Sequence, residues 1–170
     1  MSSSDYQSEK SKWTKSDLKE IKSLVLEHKV WDIKPLPFGK SAMTSKWVHL
    51  EKPEHTLKSR LVGRGYSMVP GVDYEETFSP VAKMVTFRIF LTLVASYSLQ
   101  TLALDVKTAF LNTKMEREVW MKPPANLKAL LRELLNDESL TSAELNEIRR
   151  QLRLLDEGGL LLLLKSSLWY

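Results

Sequence analysis

The chain has 170 residues, 43% hydrophobic and 27% charged, with a formal net charge of +4. That size suits one domain or slightly more, with enough apolar content for a core. The absence of cysteine excludes disulfides, thiolate chemistry and a cysteine-ligated zinc site. The longest apolar run, Leu160 to Leu164, is far too short to cross a bilayer, and Met1-Ser2-Ser3-Ser4-Asp5 lacks the apolar core of a secretory signal. The expectation is a soluble intracellular protein with no membrane contact.

Residues 1–12 read as a disordered tail. Ser16 to His28 reads as a helix, with Leu18, Ile21, Leu24 and Val25 forming an apolar stripe. Pro35 and Pro37 then stop regular structure. Trp47 to Leu50 and Leu57 to Val62 read as two strands joined by Lys52-Pro53-Glu54-His55, a hairpin with a proline-containing turn. Gly63 and Gly65 break the second strand and permit close backbone approach. Asp73, Glu75 and Glu76 follow Pro70-Gly71 as a surface turn. From Val85 to Leu99, Phe87, Phe90, Leu91 and Val94 fall at helical spacing on a segment that is apolar nearly all round, which predicts a buried helix.

Leu102 to Lys107 alternates, so Leu102, Leu104 and Val106 share one face of a strand while Ala103, Asp105 and Lys107 share the other. A carboxylate there suits magnesium, which favours hard oxygen ligands; a turn aspartate ahead of Thr108 is the equal alternative. Trp47 and Trp120 could stack on bases, but their strand-like flanks make them core or edge aromatics. After Pro123-Pro124, Leu127, Leu130, Leu131, Leu134 and Leu135 make one helical stripe, and Leu145, Ile148, Leu152 and Leu155 make a second. Thr141-Ser142-Ala143-Glu144 resembles a capping box, Gly158-Gly159 ends the second helix, and Leu160 to Leu164 suits a short buried strand. The class is α+β.

Charge is localised. Lys34, Lys40, Lys46, Lys52, Lys58, Arg60 and Arg64 stand against only Glu51 and Glu54, a net of +5 that exceeds the total for the chain. Such a patch could hold a polyanion; a solvated lysine-rich surface is the other reading. His28, His49 and His55 have no ligand spacing, and Gly63-Arg64-Gly65 lacks the remaining glycine and the lysine-serine ending of a nucleotide-binding loop.

Several collinear segments together carry a resemblance. They are Trp31-Asp32-Ile33-Lys34-Pro35-Leu36-Pro37, Ser45-Lys46-Trp47-Val48, Lys58-Ser59-Arg60-Leu61-Val62-Gly63-Arg64-Gly65-Tyr66, Gly71-Val72-Asp73-Tyr74-Glu75-Glu76-Thr77-Phe78-Ser79-Pro80-Val81, the Asp105 segment, Val119-Trp120-Met121-Lys122-Pro123-Pro124 and Leu164-Lys165-Ser166-Ser167-Leu168-Trp169-Tyr170. In this order they resemble the reverse transcriptase of copia-type long-terminal-repeat retrotransposons. The family's Tyr-x-Asp-Asp turn has no counterpart, for the sequence contains no Asp-Asp pair. The resemblance therefore implies an incomplete right-hand polymerase, truncated before that hairpin: residues 13–82 fingers-like, 83–124 palm-like, and 125–170 a helical hairpin with a terminal strand.

It further implies roles. Asp105 would be the first catalytic carboxylate and would bind magnesium or manganese with the carbonyl of Val106, although this fragment is not expected to hold the ion stably. Phe110 would lie under the sugar of the incoming nucleotide. Lys58, Arg60 and Arg64 would meet its triphosphate, and Lys46, Lys52 and Lys58 the nucleic-acid backbone. Template-primer and deoxynucleotide are the implied partners, and the implied location is cytoplasmic, in a virus-like particle, or nuclear. Without a second carboxylate motif the fragment is expected to be inactive alone. A noncatalytic nucleic-acid-binding or partner-binding remnant and a degenerate, functionless reading frame are the alternatives. An open palm edge and the leucines beyond Leu127 are expected to promote self-association.

Overall fold

The computed structural model describes residues 3–65, 82–104 and 114–165, with side chains from Lys12 onward except that of Glu116. The first helix, α1 (Ser3–Lys22), widens at its end into a π-type turn over Ser23–Glu27. His28 N–H closes that turn on Ser23 O at 3.0 Å. Lys29, at a φ of 49°, then redirects the chain into the strand β1 (Trp31–Lys34). The expected stripe is real: Ile21, Leu24 and Val25 are buried, with Leu18 packed against them. The helix starts at Ser3 rather than Ser16, however, and so runs through the segment read as a tail. The polar residues ahead of Trp13 have no apolar period to betray a helix, which periodicity reads and helix propensity alone does not.

The hairpin is present as β2 (Ser45–Glu51) and β3 (Leu57–Gly63), paired antiparallel from Ser45↔Gly63 to Glu51↔Leu57. Its turn follows the sequence: His55 N–H donates to Lys52 O at 2.9 Å, Lys52 N–H to Thr56 O at 3.0 Å, and His55 takes a φ of 56°. Pro53 supplies the fixed φ that the first central turn position favours, and the left-handed residue after it restores the strand register.

Two further strands, β4 (Lys114–Met121) and β5 (Leu160–Lys165), complete a second sheet in the order β1-β5-β4, antiparallel throughout. Its register aligns side chains in ranks. Trp31, Leu163 and Val119 form one rank and Ile33, Leu161 and Met121 the next, all six buried on the same face. Against that face lie α1 and the helices α3 (Leu127–Leu134) and α4 (Ser142–Asp156). Leu127, Leu130, Leu131 and Leu134 are buried, as are Ile148 and Leu155. The leucines expected to lie open are thus core, because the helical hairpin folds back onto the sheet it leads into. The capping box is present, with Thr141 and Glu144 bonded reciprocally. Trp31 Nε1–H donates to Gln151 Oε1 at 3.3 Å, and Arg150 reaches Asp32 at 2.8 Å, so polar bonds reinforce the apolar contact of α4 with β1.

Two expectations fail in the middle of the chain. The helix α2 (Met84–Ser96) forms where its spacing predicts, yet none of its residues is buried, and Phe87 is 52% exposed. All-round apolarity predicts burial only where elements exist to surround the helix, and no described element packs along α2. The strand expected over Leu102 to Lys107 is also missing from its described part, since 101–104 is irregular and Leu102 and Leu104 are 81% and 83% exposed. A strand without a neighbour leaves its backbone groups unpaired, so the alternating pattern does not suffice.

Gly159, just ahead of β5, is closely packed. A Cβ there would stand 2.6 Å from Ile33 Cγ2 and 2.8 Å from the Leu154 carbonyl oxygen. Gly159→Ala is expected to destabilise by about 1–3 kcal/mol and Leu161→Ala by about 2–5 kcal/mol, both read as lowered urea midpoints. An unchanged midpoint for either would contradict this packing.

Candidate nucleic-acid interface

The alternation of β2 and β3 sorts the hairpin into two unlike faces. One carries Trp47, His49 and Glu51 beside Leu57, Ser59 and Leu61; the other carries Lys46, Val48 and Leu50 beside Lys58, Arg60 and Val62. The first is turned toward α1. Leu61 is buried in the main core with Trp47 packed against it, and Trp47 Nε1–H donates to Asn126 Oδ1 at 2.8 Å. The imidazole of His49 stacks on Trp13 at 4.5 Å between centroids and lies 6.1 Å from Trp47, while its Nε2 stands 2.9 Å from Asp17 Oδ1. Lys12 adds an exposed ion pair to Glu51 at 2.8 Å.

The same helix closes the outer edge of β3. Ser59 N–H donates to Ser16 Oγ at 2.7 Å, Ser16 Oγ–H to Leu57 O at 3.1 Å, and Leu61 N–H to Glu20 Oε1 at 3.4 Å. Side chains one turn apart on α1 therefore occupy the backbone groups that an edge strand would otherwise present. Burial pushes the Glu20 carboxyl above its ordinary range, outweighing the Leu61 N–H and the positive charges of Arg60 and Lys58. At the other side the hairpin is tied to the larger sheet. Met43 N–H donates to Trp120 O at 2.9 Å, Lys122 N–H to Met43 O at 2.8 Å, and Ser45 Oγ–H to Lys122 O at 2.9 Å.

The other face is more open, with Leu50 and Arg60 exposed, Lys46, Val48 and Lys58 half-buried, and Val62 buried at its end. There Lys46, Lys58 and Arg60 stand together, with Leu50 58% exposed among them. Arg60 is opposite Val48 and Lys58 opposite Leu50, so the cations do not sit directly across from one another and like-charge repulsion is reduced. Lys52 is exposed at the turn, and exposed Arg64 follows β3, its N–H donating to Thr44 O at 2.7 Å. Five of the residues singled out in the sequence thus belong to one hairpin. The other three, Asp105, Val106 and Phe110, lie outside the described residues. Among the described residues no group of three or more histidine or acidic side chains is arranged to hold a metal ion.

The tryptophans resolve as packing residues, Trp120 buried and Trp47 hydrogen-bonded from a half-buried position. The residues that sequence reasoning missed are Ser16, Asp17 and Glu20, three polar groups inside an amphipathic helix. Their signal is that Ser16 and Glu20 are four apart beside an apolar stripe, a spacing that could serve a strand edge, but only the fold supplies the strand.

Residues 28–131 match the family profile described as reverse transcriptase (RNA-dependent DNA polymerase). The chain belongs to that family. It is 38% identical over 121 residues to the retrovirus-related Pol polyprotein from transposon TNT 1-94 of Nicotiana tabacum, covering 68% of this chain and 9% of that protein. The Pol polyprotein from transposon RE2 of Arabidopsis thaliana is 34% identical over 119 residues, 66% of this chain and 8% of that one. An uncharacterized mitochondrial protein of Arabidopsis thaliana is 31% identical over 84 residues, 46% of this chain and 49% of that protein. No solved structure matches. The chain is thus a reverse-transcriptase-like segment that spans under a tenth of the Pol polyproteins it resembles, and the copia-type resemblance read from its motifs stands.

The raised Glu20 carboxyl gives a signed expectation. A carboxyl raised in the folded state contributes stability that is present at low pH and lost as pH rises through its folded value. Glu20→Gln keeps the acceptor for Leu61 N–H without the buried charge, so at pH 7 it should unfold at an equal or higher urea midpoint than wild type. Lowering the pH toward 4 should narrow that advantage. Glu20→Ala, lacking the acceptor, should be less stable at both values. A glutamine variant clearly weaker than wild type at pH 7 would show that the charge itself holds the edge.

Proposed function

We propose that the open face of the β2–β3 hairpin binds the phosphates of nucleic acid and nucleotide, within the fingers-like part of a retrotransposon RNA-directed DNA polymerase. The observation that carries this reading is the gathering of Lys46, Lys58 and Arg60 on the hairpin face turned away from α1, where Arg60 is exposed and Lys46 and Lys58 are half-buried. Family membership supplies the substrate class. Lys46, Lys52 and Lys58 would follow a template or primer backbone. Arg60 and Arg64, with planar forks suited to phosphate oxygens, would meet the incoming triphosphate with Lys58. Phe110 would define the sugar pocket. No described helix is long and apolar enough to cross a membrane, and a nucleic-acid partner requires none.

The same reading assigns the fragment no polymerase activity of its own. In a polymerase, divalent ions offset the charge developing on the attacking hydroxyl and the departing pyrophosphate. Asp105 and the Val106 carbonyl would be this chain's contribution to holding them. One carboxylate does not close a site for two cations about 4 Å apart, whose repulsion needs further anionic ligands, and the sequence has no second carboxylate motif of the family's kind. Primer extension on RNA or DNA templates with magnesium or manganese should be undetectable. Extension by the wild-type chain that disappears in Asp105→Asn would overturn this.

Binding itself should persist, weak and without sequence preference. Each phosphate neutralised on a single strand contributes about −0.7 to the slope of log affinity against log salt. Replacing Lys46, Lys58 and Arg60 by alanine should therefore flatten the slope by up to about 2, with Lys128→Ala as a control that leaves it unchanged. Equal slopes for wild type and the triple variant would place the binding surface elsewhere.

A further inference from the structure

The helix α1 separates its charges. Asp17 and Glu20 face the hairpin, one beside His49 and the other on Leu61 N–H. Lys12, Lys15, Lys19 and Lys22 recur at spacings of three and four residues, a row about 15 Å long at the helical rise in which Lys15, Lys19 and Lys22 lie away from those carboxylates and Lys12 leans toward the hairpin. The ends of the row are tied by ion pairs at 2.8 Å, Lys12 to Glu51 and Lys22 to Asp137. Between them Lys15 and Lys19 are exposed and, among the described residues, carry no ion pair. Lys19 and Lys22 also border a groove with Leu18 of α1 and with Glu133, Leu134 and Asp137 of the α3 end. Of the acids there, Asp137 is engaged by Lys22 and Ser139, which hold its carboxyl down to about 2.

We propose that this lysine row is a second surface for the phosphate backbone of single-stranded RNA or DNA, separate from the hairpin face. It lies before residue 28, where the family profile match begins, so the match does not assign it. Lys15 and Lys19 are the primary contacts. Their ammonium groups need no carboxylate to be displaced, whereas Lys12 is held by an exposed pair of the kind worth little in water and Lys22 by a half-buried pair to Asp137 and a hydrogen bond to Ser139. A row of flexible point charges suits a backbone and not a base, so no sequence preference is expected. The proposal rests on the nucleic-acid reading of the hairpin.

The test uses the full chain and a fluorescent oligouridine, with affinity measured between about 50 and 200 mM salt. Lys15→Gln with Lys19→Gln retains helix propensity and replaces two exposed side chains. It should flatten the salt slope by about 1.4, two phosphate contacts at about 0.7 each, while the thermal midpoint stays unchanged. Lys58→Ala with Arg60→Ala is measured in parallel. If only the hairpin variant flattens the slope, the lysine row is refuted and the hairpin reading stands. A wild-type chain that binds no oligouridine overturns both. Loss of binding to phosphatidylserine vesicles by the lysine variant, with its RNA slope unchanged, would assign the row to a lipid surface and overturn the proposal.

Discussion

Everything in the larger sheet depends on β5. It arrives last among the described elements yet lies between β1 and β4, which do not pair with each other. Without it, Trp31 and Ile33 on one side and Val119 and Met121 on the other lose the residues that join them into ranks, Leu163 and Leu161. Closing this sheet brings residues more than a hundred positions apart into register, at a chain-entropy cost that the burial of six apolar side chains against three helices must offset. The helical hairpin of α3 and α4 reduces that cost. It buries its own leucines on the sheet and delivers β5 through Gly159, whose missing Cβ lets the chain pass Ile33 and the Leu154 carbonyl closely.

The smaller sheet is subordinate to this arrangement. Met43 anchors it along β4, Trp47 bonds to Asn126 just ahead of α3, and α1 closes the edge of β3 with Ser16 and Glu20. One face of a two-stranded sheet is thereby packed around Ser59 and Leu61, while Glu51 near the turn stays exposed. The opposite face carries Lys46, Lys58 and Arg60, which are costly to bury and favourable in water. The packing of one face and the chemistry of the other are consequences of a single alternation. A substitution that shifted the register by one residue would turn the cations toward α1 and the Trp13–His49 stack.

The reverse transcriptase family match covers β1, the hairpin, α2, β4 and the start of α3, while all of α1, α4 and β5 lie beyond it. Those outlying elements, with the π-type turn that ends α1, nonetheless supply seven of the eighteen buried core residues, Ile21, Leu24, Val25, Ile148, Leu155, Leu161 and Leu163. In contrast, α2 lies inside the match and is exposed along its length. Its sequence from Met84 to Leu104 holds one charged residue, Arg88, a composition suited to an interior. Family membership and core membership are thus distributed differently along this chain.

Local pattern was enough to show the β2–β3 hairpin, its proline turn, the capping box at Thr141, both leucine stripes and the terminal strand, because each is written in periods of two or 3.6 residues or in the stereochemistry of a turn. The motifs also made the family and the cationic hairpin legible, since charge and order survive without coordinates. Three things required tertiary structure. The leucines beyond Leu127 are covered because β5 returns between β1 and β4. α2 is uncovered because no described element reaches it, and periodicity reports what a helix could bury, not what is there to bury it. Ser16, Asp17 and Glu20 gained their partners, the edge of β3 and His49, only when residues some forty positions apart met, and such pairings leave no period in the chain.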